Sequence, residues 1–291
     1  QQIQLNSNNL NLKGSLTGDY LLGGGGSDLT HFFQDHRGAV INSSISIYSH
    51  CVMRVRPDLK IRINSVDLAA SMSATDLEDC LSQTGPLGLI QSLLHVVKPN
   101  YGFDLFLNSD FPVGSGLGGS ASVSAAVLGC FNELRTDQWN QHEIAEIAFQ
   151  AERLHLGIAG GWQDQYAAVF GGFNFIEFQK DNTVIVNPLR IRRYIVNELE
   201  SSLILYFSGA SRDSAKIIKD QMDSILDEKK LNAMHLVKSS ALQIKKELFK
   251  GNIDGIASEF KNAWEAKKAT SASIISSNIK EIEKILYEDG V

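Results

Sequence analysis

The stretch Pro112-Val-Gly-Ser-Gly-Leu-Gly-Gly-Ser120 places four glycines between a predicted strand and a predicted helix. Glycine adopts positive φ at low cost, so successive backbone N–H groups of such a turn can point into one concavity. The first turn of the following helix adds N–H donors without intrahelical partners and a partial positive charge. Together these features predict a phosphate-binding turn that needs no lysine.

The residues expected to contact a nucleotide lie in this turn and at the start of the helix: Pro112, Gly114, Ser115, Gly116, Leu117, Gly118, Gly119, Ser120 and Ala121. The small side chains of Ala121, Ser122 and Ser124 would let the nucleotide lie close to the helix. The hydroxyl of Ser120 either caps the helix or contacts a phosphate-bound Mg²⁺.

Other glycine-rich motifs are weaker interpretations of the same stretch. Gly114, Gly116 and Gly119 satisfy GxGxxG, but a dinucleotide-binding fold also needs an acid near position 139 and a second strand there, and both are missing. A Walker P-loop is excluded because the Gly-Lys-Ser/Thr sequence is absent. A flexible loop with a capping serine remains the simplest alternative, so other site residues must decide.

The composition is that of an ordinary globular protein. The 291 residues, enough for about two domains, are 43% hydrophobic and 21% charged. The net charge of -6 argues against a general nucleic-acid-binding protein, and no apolar run is long enough to cross a membrane. The widely spaced Cys51, Cys80 and Cys130 are expected to be small buried residues in a reducing, cytoplasmic setting.

Hairpins and helices follow one another without strict βαβ alternation, which favours an α+β fold. The predicted strands are Val40–Val55, Phe103–Asn108, Phe173–Phe178, Thr183–Pro188 and Leu203–Phe207. The predicted helices are Gly85–Lys98, Ser120–Leu134, Asn140–Leu156 and Gln163–Phe170. After Pro188 the sequence changes from mixed hairpins and helices to one strand followed by long lysine-rich helices. This change predicts two domains, residues 1–188 and 189–291. No element is predicted for Gln1–Tyr20.

Three acids complete a candidate site. Glu152 borders the buried stripe of its helix, where a carboxylate needs a partner, and either Mg²⁺ or a salt bridge with Arg153 would serve. Asp164 opens a short helix whose dipole should keep it ionised, which suits steering a hydroxyl, although a capping role is the alternative. Asp28 follows the run Gly23–Gly26 and could bind a sugar hydroxyl or cap the next helix.

These features in combination resemble the GHMP kinase superfamily. Its central motif is P-x-x-x-G-L-G-S-S-A, from which PVGSGLGGSA (residues 112–121) departs only at Gly119. The segments GGGGSDLTHFFQDHRGAVIN (23–42), GIAGGWQDQYAAVFGGFNFIEF (157–178) and VNPLRI (186–191) are similar to bacterial D-glycero-D-manno-heptose 7-phosphate kinases in particular. The likeness extends from about Gly23 to the end of the chain.

The resemblance implies an N-terminal domain like domain 2 of ribosomal protein S5 and a ferredoxin-like C-terminal domain. It implies transfer of the ATP γ-phosphate to the anomeric hydroxyl of heptose 7-phosphate, giving the 1,7-bisphosphate for nucleotide-activated heptose and surface glycans. Ser120 and Glu152 match the Mg²⁺ ligands, and Asp164 matches the catalytic aspartate. The implied partners are ATP and a sugar phosphate, with no nucleic acid or membrane, and a homodimer is compatible with the resemblance.

The expected acceptor-binding residues are Gly26, Ser27, Asp28, Gly161, Asp164, Arg212 and Lys267. Arg212 and Lys267 match basic positions of the heptose group and are candidates to bind the 7-phosphate, although a solvated surface charge is the simpler interpretation of each.

Two departures from the family pattern bear on activity. The third glycine-rich motif is expected just after Val291, so the C-terminal domain is expected to be incomplete. The Pro-x-Arg that precedes the first glycine run is missing, and Asp19 stands near the place of the arginine. Two other functions therefore stay open: a related kinase for a free sugar such as fucose, and a domain that binds a ligand without turnover.

Overall fold

The structure is a computed structural model that describes residues 11–206 apart from 111 and 113, and residues 227–288 apart from 272, 273 and 276. The strands are β1 (Asn11–Gly23), β2 (Gly38–Val55), β3 (Ile61–Ser65), β4 (Ala70–Ala74), β5 (Phe103–Ser109), β6 (Phe173–Phe178) and β7 (Val184–Pro188). The helices are α1 (Thr30–His36), α2 (Leu77–Ser82), α3 (Gly88–Val97), α4 (Gly119–Asn132), α5 (Gln141–Phe149), a π-helix (Gln150–His155), α6 (Gln163–Phe170), α7 (Arg193–Ser202), α8 (Glu228–Lys250), α9 (Ile253–Thr270) and α10 (Ser277–Glu288).

The chain forms two compact units, and neither is continuous in sequence. The first unit contains Gln1–Tyr20, Ser44–Ile158 and Asp164–Gly171, and the second contains Leu21–Ser43, Ala159–Gln163 and Gly172–Val291. This division differs from the predicted domains 1–188 and 189–291, which stay a prediction.

The first unit is built on strand pairing that brings distant segments together. The last part of β2 pairs antiparallel with β5, β5 pairs parallel with β3, and β3 pairs antiparallel with β4. Alternate residues of β3 are buried and exposed, as expected for a strand with one face on the core. Phe131 of α4 meets Phe103 of β5 edge-to-face, with ring centroids 5.3 Å apart, so the helix after the glycine turn is anchored in this core.

The second unit combines a short antiparallel ladder with long helices. The first six residues of β2 pair with β6, and β6 forms a hairpin with β7. Ile41 and Phe175 pack in one core with Leu22, Ile244 of α8 and Ile256 of α9. Burying this apolar set is what holds the lysine-rich helices against the strands.

The structure confirms the predicted α+β class and most of the predicted elements, among them β2, α3, α4, α6 and the β6–β7 hairpin. The three cysteines are buried and free, as expected. Among the described helices, none is long and apolar enough to cross a membrane.

Three expectations about the elements were wrong or incomplete. The polar start of the chain contains β1, which pairs with β2. The helix predicted over Asn140–Leu156 starts as expected, with Asn140 in a capping box, but its last turn is the π-helix. The strand predicted at Leu203–Phe207 is absent over Leu203–Tyr206, which follow α7 without regular structure, and Phe207 lies outside the described residues.

Candidate functional site

The glycine turn has the backbone conformation that a phosphate-binding turn needs. Gly114, Gly116 and Gly118 have φ of 78°, 76° and 66°, in the left-handed region that favours glycine. The N-cap of α4 is Gly118, which has no side chain to accept a capping hydrogen bond. The N–H groups of the first helical turn are therefore not satisfied by a cap side chain. Ser120 is the second residue of the helix rather than its cap. The expectation that Ser120 caps the helix was therefore wrong, and its role as a metal ligand stays a prediction.

A buried carboxylate accompanies the turn. The N–H of Asp19 donates to the carbonyl of Leu117 at 3.2 Å, and a Cβ on Gly118 would lie 1.9 Å from the Asp19 carboxylate. The glycine at position 118 is thus required by close contact as well as by φ. Sequence reasoning placed Asp19 only near a missing arginine, because β1, which carries it, was not predicted.

The small residues of α4 serve packing inside the protein. Ala121, Ser122 and Ser124 are fully buried. Ala121 packs with Ala125 and with Ala168 of α6, and the Ser122 hydroxyl donates to the carbonyl of Leu16 at 2.7 Å. The expectation that these side chains make room for a nucleotide was wrong. Ala121 stays a predicted contact of the phosphates through its backbone N–H, beside the N–H groups of the glycine turn.

Glu152 and Asp164 are joined through one guanidinium in the first unit. Arg153 lies 3.4 Å from Glu152 through Nη1 and 3.9 Å from Asp164 through Nη2. Glu152 is buried, with 3% of its side chain exposed, and accepts a 2.6 Å hydrogen bond from Nε2 of Gln165. The two acids therefore lie on the same side of this unit, as a shared site requires. The predicted salt bridge between Glu152 and Arg153 is also present.

The donor set at Glu152 suits magnesium. Mg²⁺ takes hard oxygen ligands and is commonly held by one or two carboxylates together with substrate phosphates. The carboxylate of Glu152 and the hydroxyl of Ser120, which are the predicted ligands, are oxygen groups of the kind that this preference describes. Among the described residues no group of three or more histidines, cysteines or acids could form a metal cage, so a cation here would depend on the nucleotide phosphates for its other ligands.

Asp28 is held by backbone donors in the second unit. Its carboxylate accepts from the N–H of Gly26 at 2.9 Å and from the N–H of Gln163 at 3.2 Å. A Cβ on Gly161 would lie 1.8 Å from Oδ2 of Asp28, so this glycine lets the carboxylate approach the backbone. The N-cap of α1 is Leu29, which means that the capping alternative for Asp28 was wrong.

The glycine run before Asp28 is itself a fixed turn. Gly24 and Gly26 have positive φ, of 87° and 100°. The Ser27 hydroxyl donates to the carbonyl of Gly24 at 2.7 Å and accepts from the N–H of Ala39 at 3.1 Å. Ser27 is fully buried in these contacts, so its hydroxyl holds the turn, and direct contact of Ser27 with an acceptor stays a prediction.

Lys267 of α9 places an ammonium at the same turn. Its Nζ donates to the carbonyl of Gly25 at 2.7 Å. Desolvation lowers the pKa of Lys267 from 10.5 to about 8, and the negative charge of Asp28 opposes this shift. The interpretation of Lys267 as a solvated surface charge was therefore wrong. Arg212, the other basic candidate, lies outside the described residues.

A row of side-chain amides supports the backbone that grips Asp28. Asn42 of β2 donates to Oε1 of Gln163 at 3.0 Å, and Asn174 of β6 donates to Oδ1 of Asn42 at 3.4 Å. Both asparagines are fully buried. Sequence reasoning missed this row and also missed Gln165. The polar Asn42 directly after the apolar pair Val40-Ile41, in a predicted strand, was a signal that could have indicated it.

Comparison with known proteins agrees with this geometry. Residues 87–172 match the family model described as GHMP kinases N terminal domain, a range that includes the glycine turn, Glu152 and Asp164. The chain is 37% identical over 274 residues to a Campylobacter jejuni protein named D-glycero-alpha-D-manno-heptose 7-phosphate kinase, covering 92% of this chain and 80% of that protein.

Two solved structures share the fold. One is a Bacteroides thetaiotaomicron protein named D-glycero-D-manno-heptose 1-phosphate kinase, with a TM-score of 0.74 and 32% identity over 89% of this chain and 79% of that one. The other, from Campylobacter jejuni and described as a sugar kinase, has a TM-score of 0.74 and 34% identity over 96% of this chain and 82% of that one. A relative this similar over nearly the whole chain establishes descent as well as fold: the protein belongs to the GHMP kinase family.

Proposed function

We propose that this chain transfers the γ-phosphate of ATP to the anomeric hydroxyl of D-glycero-D-manno-heptose 7-phosphate. The observation that carries the proposal is the 37% identity to a heptose 7-phosphate kinase over 92% of the chain. The acids and glycines that such a reaction needs are held in place by the contacts described above.

The glycine turn, Glu152 and Asp164 are the groups proposed for phosphoryl transfer. Backbone N–H groups of the turn from Gly114 to Gly119 bind the phosphates. Glu152 and Ser120 would hold Mg²⁺, which would supply positive charge against the nucleotide phosphates. Asp164 is the catalytic aspartate: it accepts a hydrogen bond from the acceptor hydroxyl and orients that hydroxyl toward the γ-phosphate.

Asp28, Lys267 and Gly161 are the groups proposed to bind the acceptor. Asp28, fixed by the N–H groups of Gly26 and Gln163, accepts hydrogen bonds from sugar hydroxyls. The Lys267 ammonium binds the 7-phosphate, because an anion compensates a charge that burial otherwise disfavours. Gly161 gives Asp28 the room that this arrangement needs, because a side chain there would displace the carboxylate, and a backbone contact between Gly161 and the acceptor is part of the proposal.

The test is ADP release coupled to a reporter reaction, with heptose 7-phosphate, heptose 1-phosphate, fucose and galactose as separate acceptors. Turnover on heptose 7-phosphate alone is the expected result. Turnover on heptose 1-phosphate, the compound in the name of the Bacteroides relative, would contradict transfer to the anomeric hydroxyl, because that oxygen already carries the phosphate in this acceptor. Measurable ATP binding without ADP release for any acceptor would show a binding domain instead.

A further inference from the structure

Arg153 lies between two acids to which the proposed function gives separate tasks. Its side chain is 10% exposed, against 3% for Glu152 and 36% for Asp164. The three residues come from two elements, the π-helix and the start of α6. A guanidinium presents a rigid planar fork of donors, so a single arginine can face two carboxylates at once, which a lysine ammonium does less well.

The π-helix brings the first two of these groups together. The N–H of Leu156 donates to the carbonyl of Ala151, five residues earlier, at 3.0 Å. π-turns are rare and occur frequently at functional sites. Here the wider turn carries Glu152 and Arg153 in succession while both side chains stay largely buried. A buried carboxylate needs a compensating charge, and Arg153 supplies it from the adjacent position.

We propose that Arg153 is a positioning residue that holds Glu152 and Asp164 together and competes with the divalent cation for Glu152. The inference rests on the proposed function, in which Glu152 binds the metal and Asp164 the acceptor. A guanidinium and a dication both seek the Glu152 oxygens. In the absence of metal, Arg153 therefore balances the negative charges of Glu152 and Asp164. When the metal binds Glu152, Asp164 is the acidic partner that Arg153 retains among the contacts described above.

The first test measures magnesium binding without turnover. Thermal unfolding is followed in Mg²⁺ titrations with a saturating non-hydrolysable ATP analogue, which supplies the phosphate ligands without turnover, for the wild type, Arg153→Met, Arg153→Lys and Arg135→Met. Arg135 is the matched control, because it pairs with exposed Asp137 in the same unit, 2.9 Å away, and plays no part in the site. In Arg153→Met, Mg²⁺ should raise Tm more than in the wild type, with half-saturation at an about tenfold lower concentration. Arg153→Lys should lie between, and Arg135→Met should respond as the wild type does.

The second test separates positioning from a purely structural salt bridge. Arg153→Met should lower kcat roughly 10- to 100-fold while KM for ATP changes little, because Asp164 loses its contact with the Arg153 guanidinium. Equal Mg²⁺ responses in all four proteins, with activity falling only as folded protein is lost, would overturn the inference.

A third variant covers the case in which Arg153→Met does not fold. Glu152→Gln removes the charge that needs compensation, so the double variant Glu152→Gln/Arg153→Met should fold where the single one fails. A double variant as unstable as the single one would also overturn the inference. Should the wild type release no ADP with any sugar, the proposed function fails, whereas the Mg²⁺ titration still decides the role of Arg153.

Discussion

Replacing Gly161 by alanine should selectively weaken binding of the acceptor. A Cβ at this position would lie 1.8 Å from Oδ2 and 2.4 Å from Cγ of Asp28, whereas ordinary contact begins at 3.4 Å. The carboxylate or the backbone would have to retreat by about 1.6 Å, which is the difference between the ordinary contact distance of 3.4 Å and the 1.8 Å from the Cβ to Oδ2. The hydrogen bonds that Asp28 accepts from Gly26 and Gln163, at 2.9 and 3.2 Å, cannot both survive such a shift.

The magnitude follows from the bonds at risk. A hydrogen bond to a charged group contributes about 1.5–3 kcal/mol, which corresponds to a loss of roughly 10- to 150-fold in affinity. Steady-state kinetics should therefore show a KM for the sugar phosphate raised by about this factor, with KM for ATP nearly unchanged. Isothermal titration with the acceptor alone gives the same quantity without turnover.

Gly129→Ala is the matched control for this substitution. Gly129 lies within α4, and a Cβ there would have nothing within 4 Å, so the alanine should leave KM unchanged and stabilise the helix by up to about 1 kcal/mol. If Gly161→Ala binds the acceptor as the wild type does, Asp28 has no part in acceptor recognition. If KM for ATP rises equally, the damage is general and the assignment of this turn to the acceptor is wrong.

The other predictions concern Lys267 and Asp164. Because burial lowers the pKa of Lys267 to about 8, about half of its ammonium is lost at pH 8 and most of it one unit higher, so KM for a phosphorylated acceptor should start to rise near pH 8 and approach a tenfold increase per pH unit beyond it. Lys267→Met should abolish this rise, and a wild-type KM that stays flat from pH 7 to 9 would remove Lys267 from the phosphate site. Folding responds in the opposite direction: between pH 8 and 10.5 the unfolded chain binds more protons than the folded one, so urea titrations should show the free energy of unfolding rising with pH as the cost of burying the charged Lys267 disappears. Asp164→Asn should lower kcat far more than ATP affinity, measured by turnover and nucleotide titration, and an equal fall in both would make Asp164 a structural residue.

Local sequence patterns predicted those parts of the site that depend on local conformation. The glycine spacing indicated a turn with positive φ, and Gly114, Gly116 and Gly118 have it. The small residues after the turn indicated close packing, but the pattern alone could not distinguish a nucleotide from Leu16 and Ala168 as the neighbour. That distinction depends on β1. Its polar, glycine-containing sequence does not have the pattern of a strand, and the strand forms by pairing with β2.

The contacts that support the acids were beyond sequence reasoning because they join distant positions. Gln163 holds Asp28 across 135 positions, and Asn42 reaches Gln163 across 121. The π-helix has no local sequence signature comparable to a cap, so the direction of Glu152 and Arg153 could not be read from helical spacing alone. The candidate acids could thus be predicted from their residue types and local motifs, whereas the residues that hold them in place could not.

The way in which each acid is held determines which substitutions should be most damaging. Asp28 is gripped by backbone N–H groups, which no side-chain replacement removes, so it is vulnerable chiefly through the glycine that gives it room. Glu152 is held by the side chains of Gln165 and Arg153, and either can be removed by one substitution. A carboxylate offers about four lone-pair positions, so donors that fix its orientation still leave positions for a ligand. The acceptor acid should therefore tolerate most changes around it, whereas the metal-binding acid should respond to changes at Gln165 and Arg153 in proportion to the charge or hydrogen bond that each removes.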